Sequence, residues 1–138
     1  MSEQNKATMR RIYDEVVNTR NFDLIDEIMA ENFVEHEAFP GLANDRSGVR
    51  AFFEMMTSAF PDLRIDAQDV IAEGDKVAAR IVMSGTHKGD FMGAAPTGKE
   101  FTIQGIDIVH FAGGKAVAHW GVTDQVAMAE QLGIAPSA

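Results

Sequence analysis

The chain has no cysteine. That excludes a disulfide framework, a thiolate nucleophile and any zinc–sulfur site, and it accords with a cytoplasmic protein. It also lacks any apolar run near the roughly 20 residues that span a bilayer. Its apolar runs, such as residues 77–83 (VAARIVM), are short and interrupted, and the opening MSEQNKATMRR lacks the apolar core of a secretory signal, so no membrane association is expected. Basic residues are few, twelve Lys and Arg against twenty-one acids, for a net charge of −9. Nucleic-acid binders gather cations into patches, whereas here they are scattered, so no nucleic-acid partner is expected and the acidity serves solubility. There is no G-x-S-x-G nucleophile elbow, and the glycine-rich stretch 89–98 does not lead into a helix as a phosphate loop would. The four histidines, His36, His87, His110 and His119, form no close pair at helical or hairpin spacing. No metal and no cofactor are therefore expected, and any enzyme built on this chain would be a cofactor-free one.

What is present is a clear periodic pattern. At 138 residues and 46% hydrophobic composition the chain is the size of one domain, 1–138, with material for one core. Residues 5–19 place Met9, Ile12, Tyr13, Val16 and Val17 at helical spacing, which predicts helix one. Asn21 or Asp23 can cap a second helix with Leu24, Ile25, Ile28 and Met29 on one face, and residues 33–37 read as a short extended segment ending near Pro40-Gly41. Ser47 can cap a third helix, 48–59, whose apolar stripe is Val49, Phe52, Phe53, Met56 and Phe60. Strands are predicted at 63–73, 76–87, 99–111 and 115–123, the last two joined through Gly113-Gly114. A long glycine-rich loop, 85–98, separates the middle pair, and a short amphipathic helix follows Asp124, a natural cap. Helices first and an antiparallel meander later predict an α+β fold with helices packed on one face of a curved sheet.

Strand parity then singles out candidate chemistry. On 101–111, Phe101, Ile103, Gly105, Asp107, Val109 and Phe111 share a face, leaving Asp107 as the lone charge in an apolar stripe. If that stripe lines a pocket, desolvation favours a neutral acid able to donate; the alternative is a buried aspartate satisfied by backbone amides or paired with His119. On the last strand Val117, His119, Gly121 and Thr123 share a face, opposite Ala118, Trp120 and Val122. Asp107 and His119 could thus form a carboxylate–imidazole pair with the ring as general base, or His119 could be a satisfied structural residue. Tyr13, on the apolar stripe of helix one, is either a core residue or a hydroxyl facing a ligand. His87, before the glycine loop, belongs either to a pocket mouth or to the surface. Eight methionines and nine phenylalanines, Phe91 and Met92 among them, could shape an adaptable pocket for a flat apolar ligand or simply fill the core.

The phrases Asn32-Phe33-Val34-Glu35-His36, Gly89-Asp90-Phe91-Met92-Gly93, Pro96-Thr97-Gly98-Lys99, Gly114-Lys115, His119-Trp120 and Gln131-Leu132-Gly133 resemble the SnoaL-like polyketide cyclases, within the nuclear-transport-factor-2-like superfamily. The resemblance covers nearly the whole chain. It implies a cone-shaped α+β barrel, a curved mixed or antiparallel sheet with helices on its concave face, around a deep apolar pocket. It further implies a homodimer, with Trp120 on a sheet surface used for packing, and a cavity lined at the segment holding His36. In those cyclases the acid/base aspartate lies two residues after the histidine matching His119, where this chain has Gly121, while a glutamine and a histidine of the pocket are replaced by Gly105 and Asp107. Asp107 in turn falls where ketosteroid isomerase has its oxyanion-stabilising acid and limonene epoxide hydrolase a catalytic aspartate. The implied function is a cofactor-free acid/base isomerisation or aldol-type cyclisation of a small apolar carbonyl compound. Asp107 and His119 would be catalytic, and His36, Tyr13, Phe53, Phe91, Met92 and Gly121 would bind the substrate. The alternatives are a non-catalytic small-molecule-binding protein of the same fold, or an epoxide hydrolase, which would need a second acid such as Asp124.

Overall fold

In the computed structural model, which describes residues 2–134, one mixed five-stranded sheet carries every long strand of the chain. Its strands are β1 (Met29–Glu35), β2 (Arg64–Glu73), β3 (Lys76–Thr86), β4 (Glu100–Ala112) and β5 (Lys115–Thr123). They are ordered β1-β5-β4-β3-β2, with β1 parallel to β5 and every other pair antiparallel. The helices α1 (Ser2–Arg11), α2 (Ile25–Ile28), α3 (Arg46–Ala59) and α4 (Gln125–Leu132) pack on the sheet's concave side. The fold is the α+β class that the order of elements predicts.

Alternation builds the core. On β4, Phe101, Ile103, Gly105, Val109 and Phe111 are buried while their neighbours face outward, and on β3 Val77, Ala79, Ile81 and Met83 do the same. These side chains meet Met9, Ile12, Val16 and Val17 from the first helix and Met56, Ala59 and Phe60 from α3 in one hydrophobic cluster. Gly113 and Gly114, both at positive φ, turn β4 into β5, where other residues would be strained.

Several local expectations are corrected. Helix one does not run regularly to residue 19: after Arg11 it widens into a π-helical turn, Ile12–Val17, which ends against Asn18. The second helix is a 3₁₀ turn, Phe22–Leu24, and a single turn of α2, and Asn21 makes no capping bond. Met29 consequently belongs to β1, where it pairs with Ala116. Helix α3 is capped by Asp45, not Ser47; the Asp45 carboxylate accepts from the Gly48 amide, and the Ser47 hydroxyl donates to the same carboxylate. Two residues of β5 stand against one of β4 between Ala116 and Ala118, because the pairing shifts from His110 with Ala118 to Phe111 with Ala116. That bulge breaks the strict parity of the last strand and turns Ala116, rather than Val117, toward the interior.

Candidate functional site

Three neighbouring strands and the first helix each deliver one polar side chain to the same place. Glu35 ends β1, alternates in phase with buried Phe33, and pairs with His119 across the parallel ladder. His119 lies opposite Val109 on β4, and Asp107 lies opposite Gly121, so Asp107 and His119 are diagonal neighbours on one face. Tyr13 enters from the π-helical turn, which also buries Ile12, Val16 and Val17. π-helical turns recur at functional sites, and this one carries the only tyrosine of the chain.

The four groups form a continuous hydrogen-bonded chain. The Tyr13 hydroxyl donates to Asp107 Oδ2 at 2.6 Å, and His119 Nε2 lies 2.8 Å from Asp107 Oδ1. On its other side His119 Nδ1 lies 2.5 Å from Glu35 Oε1, which also accepts from the Glu37 amide at 2.9 Å. A ring held between two carboxylate oxygens has acceptors for a proton on each nitrogen. Burial opposes charge on His119, but the hydrogen bonds and charges of Asp107 and Glu35 outweigh it and push the ring up to about 10. His119 is therefore an imidazolium at neutral pH, a donor rather than the free base that the sequence pattern suggested. Asp107 accepts on both oxygens, from Tyr13 on one and from His119 on the other. Burial, reinforced by the neighbouring Asp107 charge and hydrogen bond, raises the Tyr13 phenol far above its usual value and keeps it protonated.

This chain lines a cavity of about 540 Å³ whose remaining walls are largely apolar, including Met9, Phe33, Phe52, Phe53, Ile81 and Val109. Gly121 forms part of the wall for a definite reason: a Cβ there would come within 2.6 Å of Asp107 Oδ1 and 2.9 Å of the His119 ring. The missing side chain is the space in which Asp107 reaches His119. The His119 nitrogens are both committed to carboxylates, which leaves no ring lone pair for a metal, and among the described residues no group of three or more His, Asp or Glu is placed to hold one.

Of the residues singled out from sequence, Tyr13, Asp107, His119, Phe53 and Gly121 meet at this cavity. Phe91 and Met92 line instead an adjoining cavity of about 500 Å³, walled also by Met56, Met83 and Met128 and sharing Phe39, Pro40 and Phe52 with the first. His36 is elsewhere. One position beyond Glu35 it points to the opposite side of the sheet, where its ring stacks on Trp120 with centroids 4.6 Å apart and planes 1° apart. His87 is fully buried between Phe60 and Phe91, with Nδ1 bonded to Thr97, and lies neither at a pocket mouth nor at the surface. Asp124 caps α4 through the Ala127 amide. Glu35 is the residue that sequence reasoning missed. Its signal was present in the alternation with Phe33, which places a carboxylate on an inward-facing position.

The fold agrees with the relatives of the chain. Residues 7–132 match the SnoaL-like polyketide cyclase family, and the chain belongs to it. It is similar to aklanonic acid methyl ester cyclase AcmA of Streptomyces galilaeus, 35% identical over 72 residues, which span 52% of this chain and half the length of that relative. Among solved structures it superposes on IdmH of Streptomyces antibioticus with a TM-score of 0.83 and 32% identity, covering 95% of this chain and 99% of that one. TsrD of Streptomyces laurentii superposes with a TM-score of 0.86 at 25% identity, covering 96% and 97%. No described helix is long and apolar enough to cross a membrane.

Proposed function

We propose that this protein catalyses a cofactor-free acid/base reaction, an isomerisation or intramolecular aldol-type cyclisation, on a small apolar carbonyl compound bound in the 540 Å³ cavity. The observation that supports this reading is the half-buried hydrogen-bonded chain Tyr13–Asp107–His119–Glu35 set in an otherwise largely apolar wall. The carboxylates supply proton acceptors, while the positive charge of the imidazolium, whose N–H groups they hold, stabilises a developing enolate nearby through space. The low-polarity surround strengthens each of these interactions. The name of AcmA, aklanonic acid methyl ester cyclase, favours the cyclisation variant of the reading.

The test uses 2-naphthol, a planar mimic of an enolate. Titration calorimetry at pH 7 is expected to show one site per chain, and Asp107→Asn is expected to weaken binding by roughly tenfold through loss of a charge-assisted network. Absence of binding to the wild-type protein would refute the reading.

We further propose that the outer face of the sheet meets a second copy of the chain. There Ile106 opposes Val122 and Ile108 opposes Trp120, all four exposed, with exposed Val34 on β1 beside them. This apolar stripe, bordered by Lys76, whose Nζ lies 5.6 Å from the Trp120 ring centroid, is a surface suited to contact with a second copy.

A further inference from the structure

We infer that Glu35 is the base that takes the substrate proton, through its Oε2 atom, with Asp107 serving to hold the two donors in place. The inference rests on the acid/base reading above and names the atom that carries it out.

The hydrogen bonds separate the two carboxylates. Their side chains are similarly enclosed, 13% exposed for Glu35 and 15% for Asp107. Asp107 has both oxygens occupied, Oδ1 by His119 and Oδ2 by Tyr13. Taking a proton on either would remove the carboxylate charge that makes these two hydrogen bonds strong and so loosen the hold on His119 and Tyr13. Glu35 concentrates its partners on one oxygen, since Oε1 receives both His119 Nδ1 and the Glu37 amide. Among the described residues nothing donates to Oε2, and Glu35 lines the cavity. The remaining carboxylates of the wall are less suited: Glu37 is exposed to solvent, and Asp124 is engaged in the α4 cap. The orientation of Glu35 is also fixed, by the ladder contact of β1 with β5 and by its two hydrogen bonds, so its unused lone pairs are presented without reorganisation.

The step balances without a co-reactant. The C–H bond beside the substrate carbonyl breaks, its proton passes to Glu35 Oε2, and the electron pair is delocalised as an enolate near the His119 imidazolium. In cyclisation the enolate carbon then bonds to a second carbonyl carbon of the same molecule, and the resulting alkoxide takes the proton back from Glu35. In isomerisation the proton returns to a different carbon.

The test is exchange of the C1 protons of 2-tetralone for deuterium, followed by proton NMR in D₂O with wild type, Glu35→Gln, Glu35→Asp and Asp107→Asn. Glutamine retains a carbonyl oxygen for His119 Nδ1–H and so preserves the ring's position. Glu35→Gln is expected to slow enzyme-dependent exchange by about 100-fold or more, with 2-naphthol affinity within about threefold of wild type. Glu35→Asp is expected to recover part of the rate. Exchange that survives Glu35→Gln while Asp107→Asn abolishes it would overturn the assignment to Glu35 and leave the acid/base reading intact. Loss of exchange together with loss of 2-naphthol binding in Glu35→Gln would also overturn it, since Glu35 would then be a scaffold for His119. No exchange by wild type would overturn both readings.

Discussion

At position 121 a single methyl group would separate two side chains that now touch. The Cβ of alanine there falls 2.6 Å from Asp107 Oδ1 and 2.9 Å from His119 Nε2, closer than such atoms approach, and neither neighbour is a freely swinging end. Gly121→Ala is expected to cost about 1–3 kcal/mol by overpacking, measured as a shift in urea midpoint. It should also lower the His119 pKa toward its ordinary value, followed by imidazole NMR, because the Asp107 contact is what the methyl displaces. The same imidazole sets a pH dependence. Its pKa rises from 6.5 when unconstrained to about 10 in the folded protein, so the folded state holds a proton that the unfolded chain releases first. The stabilisation is complete below about pH 6.5 and is lost as pH rises through about 10, since the unfolded state binds fewer protons in that window. Urea midpoints of the wild type are expected to fall across this range more steeply than those of His119→Gln. A flat wild-type profile would refute the imidazolium assignment.

Among the elements, α4 is held by its Asp124 cap, by paired hydrogen bonds between Gln131 and the Thr102 backbone, and by buried Met128 and Leu132, and it borders both cavities. Gln125 and Val126 line the two spaces, and the Asp124 carboxylate fixes the first turn by accepting from the Ala127 amide. Asp124→Ala is expected to destabilise the protein by about 1 kcal/mol, with the change concentrated in faster amide exchange along Gln125–Leu132. This cap was legible from sequence because an N-cap is a local contact. The cap of α3 was misplaced by two residues for a related reason: Asp45 and Ser47 are both good capping types, and only the approach of the chain at Gly48 selects between them. A Cβ at Gly48 would lie 1.8 Å from the Ala43 carbonyl oxygen, so the backbone folds tightly there and brings the Gly48 amide to Asp45. The π-helical turn at Ile12–Val17 had no sequence signal, because the apolar spacing of Ile12, Tyr13, Val16 and Val17 suits an ordinary helix equally well.

Over the whole molecule, the sheet divides the chain into a wet outer side and an enclosed inner one. The outer stripe of Val34, Ile106, Ile108, Trp120 and Val122 is expected to hold two copies together, and analytical ultracentrifugation should report a dimer. Val122, 73% exposed, can accept a charge without disturbing the core, so Val122→Lys is expected to shift the protein toward monomer while leaving its thermal midpoint nearly unchanged. A wild-type monomer at micromolar concentration would refute this arrangement.

The sequence by itself determined the class of fold, the two glycines of the β4–β5 turn and the presence of Asp107 on an apolar face, because period-2 alternation and turn chemistry are properties of neighbouring residues. It also brought Asp107 and His119 to one side of one hairpin, a relation set by register alone. Only the tertiary structure decided what those residues do. Pairing β1 in parallel beside β5 joined Glu35 to His119 across 84 positions of sequence, and the helix brought Tyr13 to Asp107 across 94. Those long-range contacts set the charge of the ring, turned His36 outward onto Trp120, and left one buried carboxylate with an oxygen unoccupied. Protonation and hydrogen-bond occupancy depend on distances and burial in three dimensions, which no local pattern encodes.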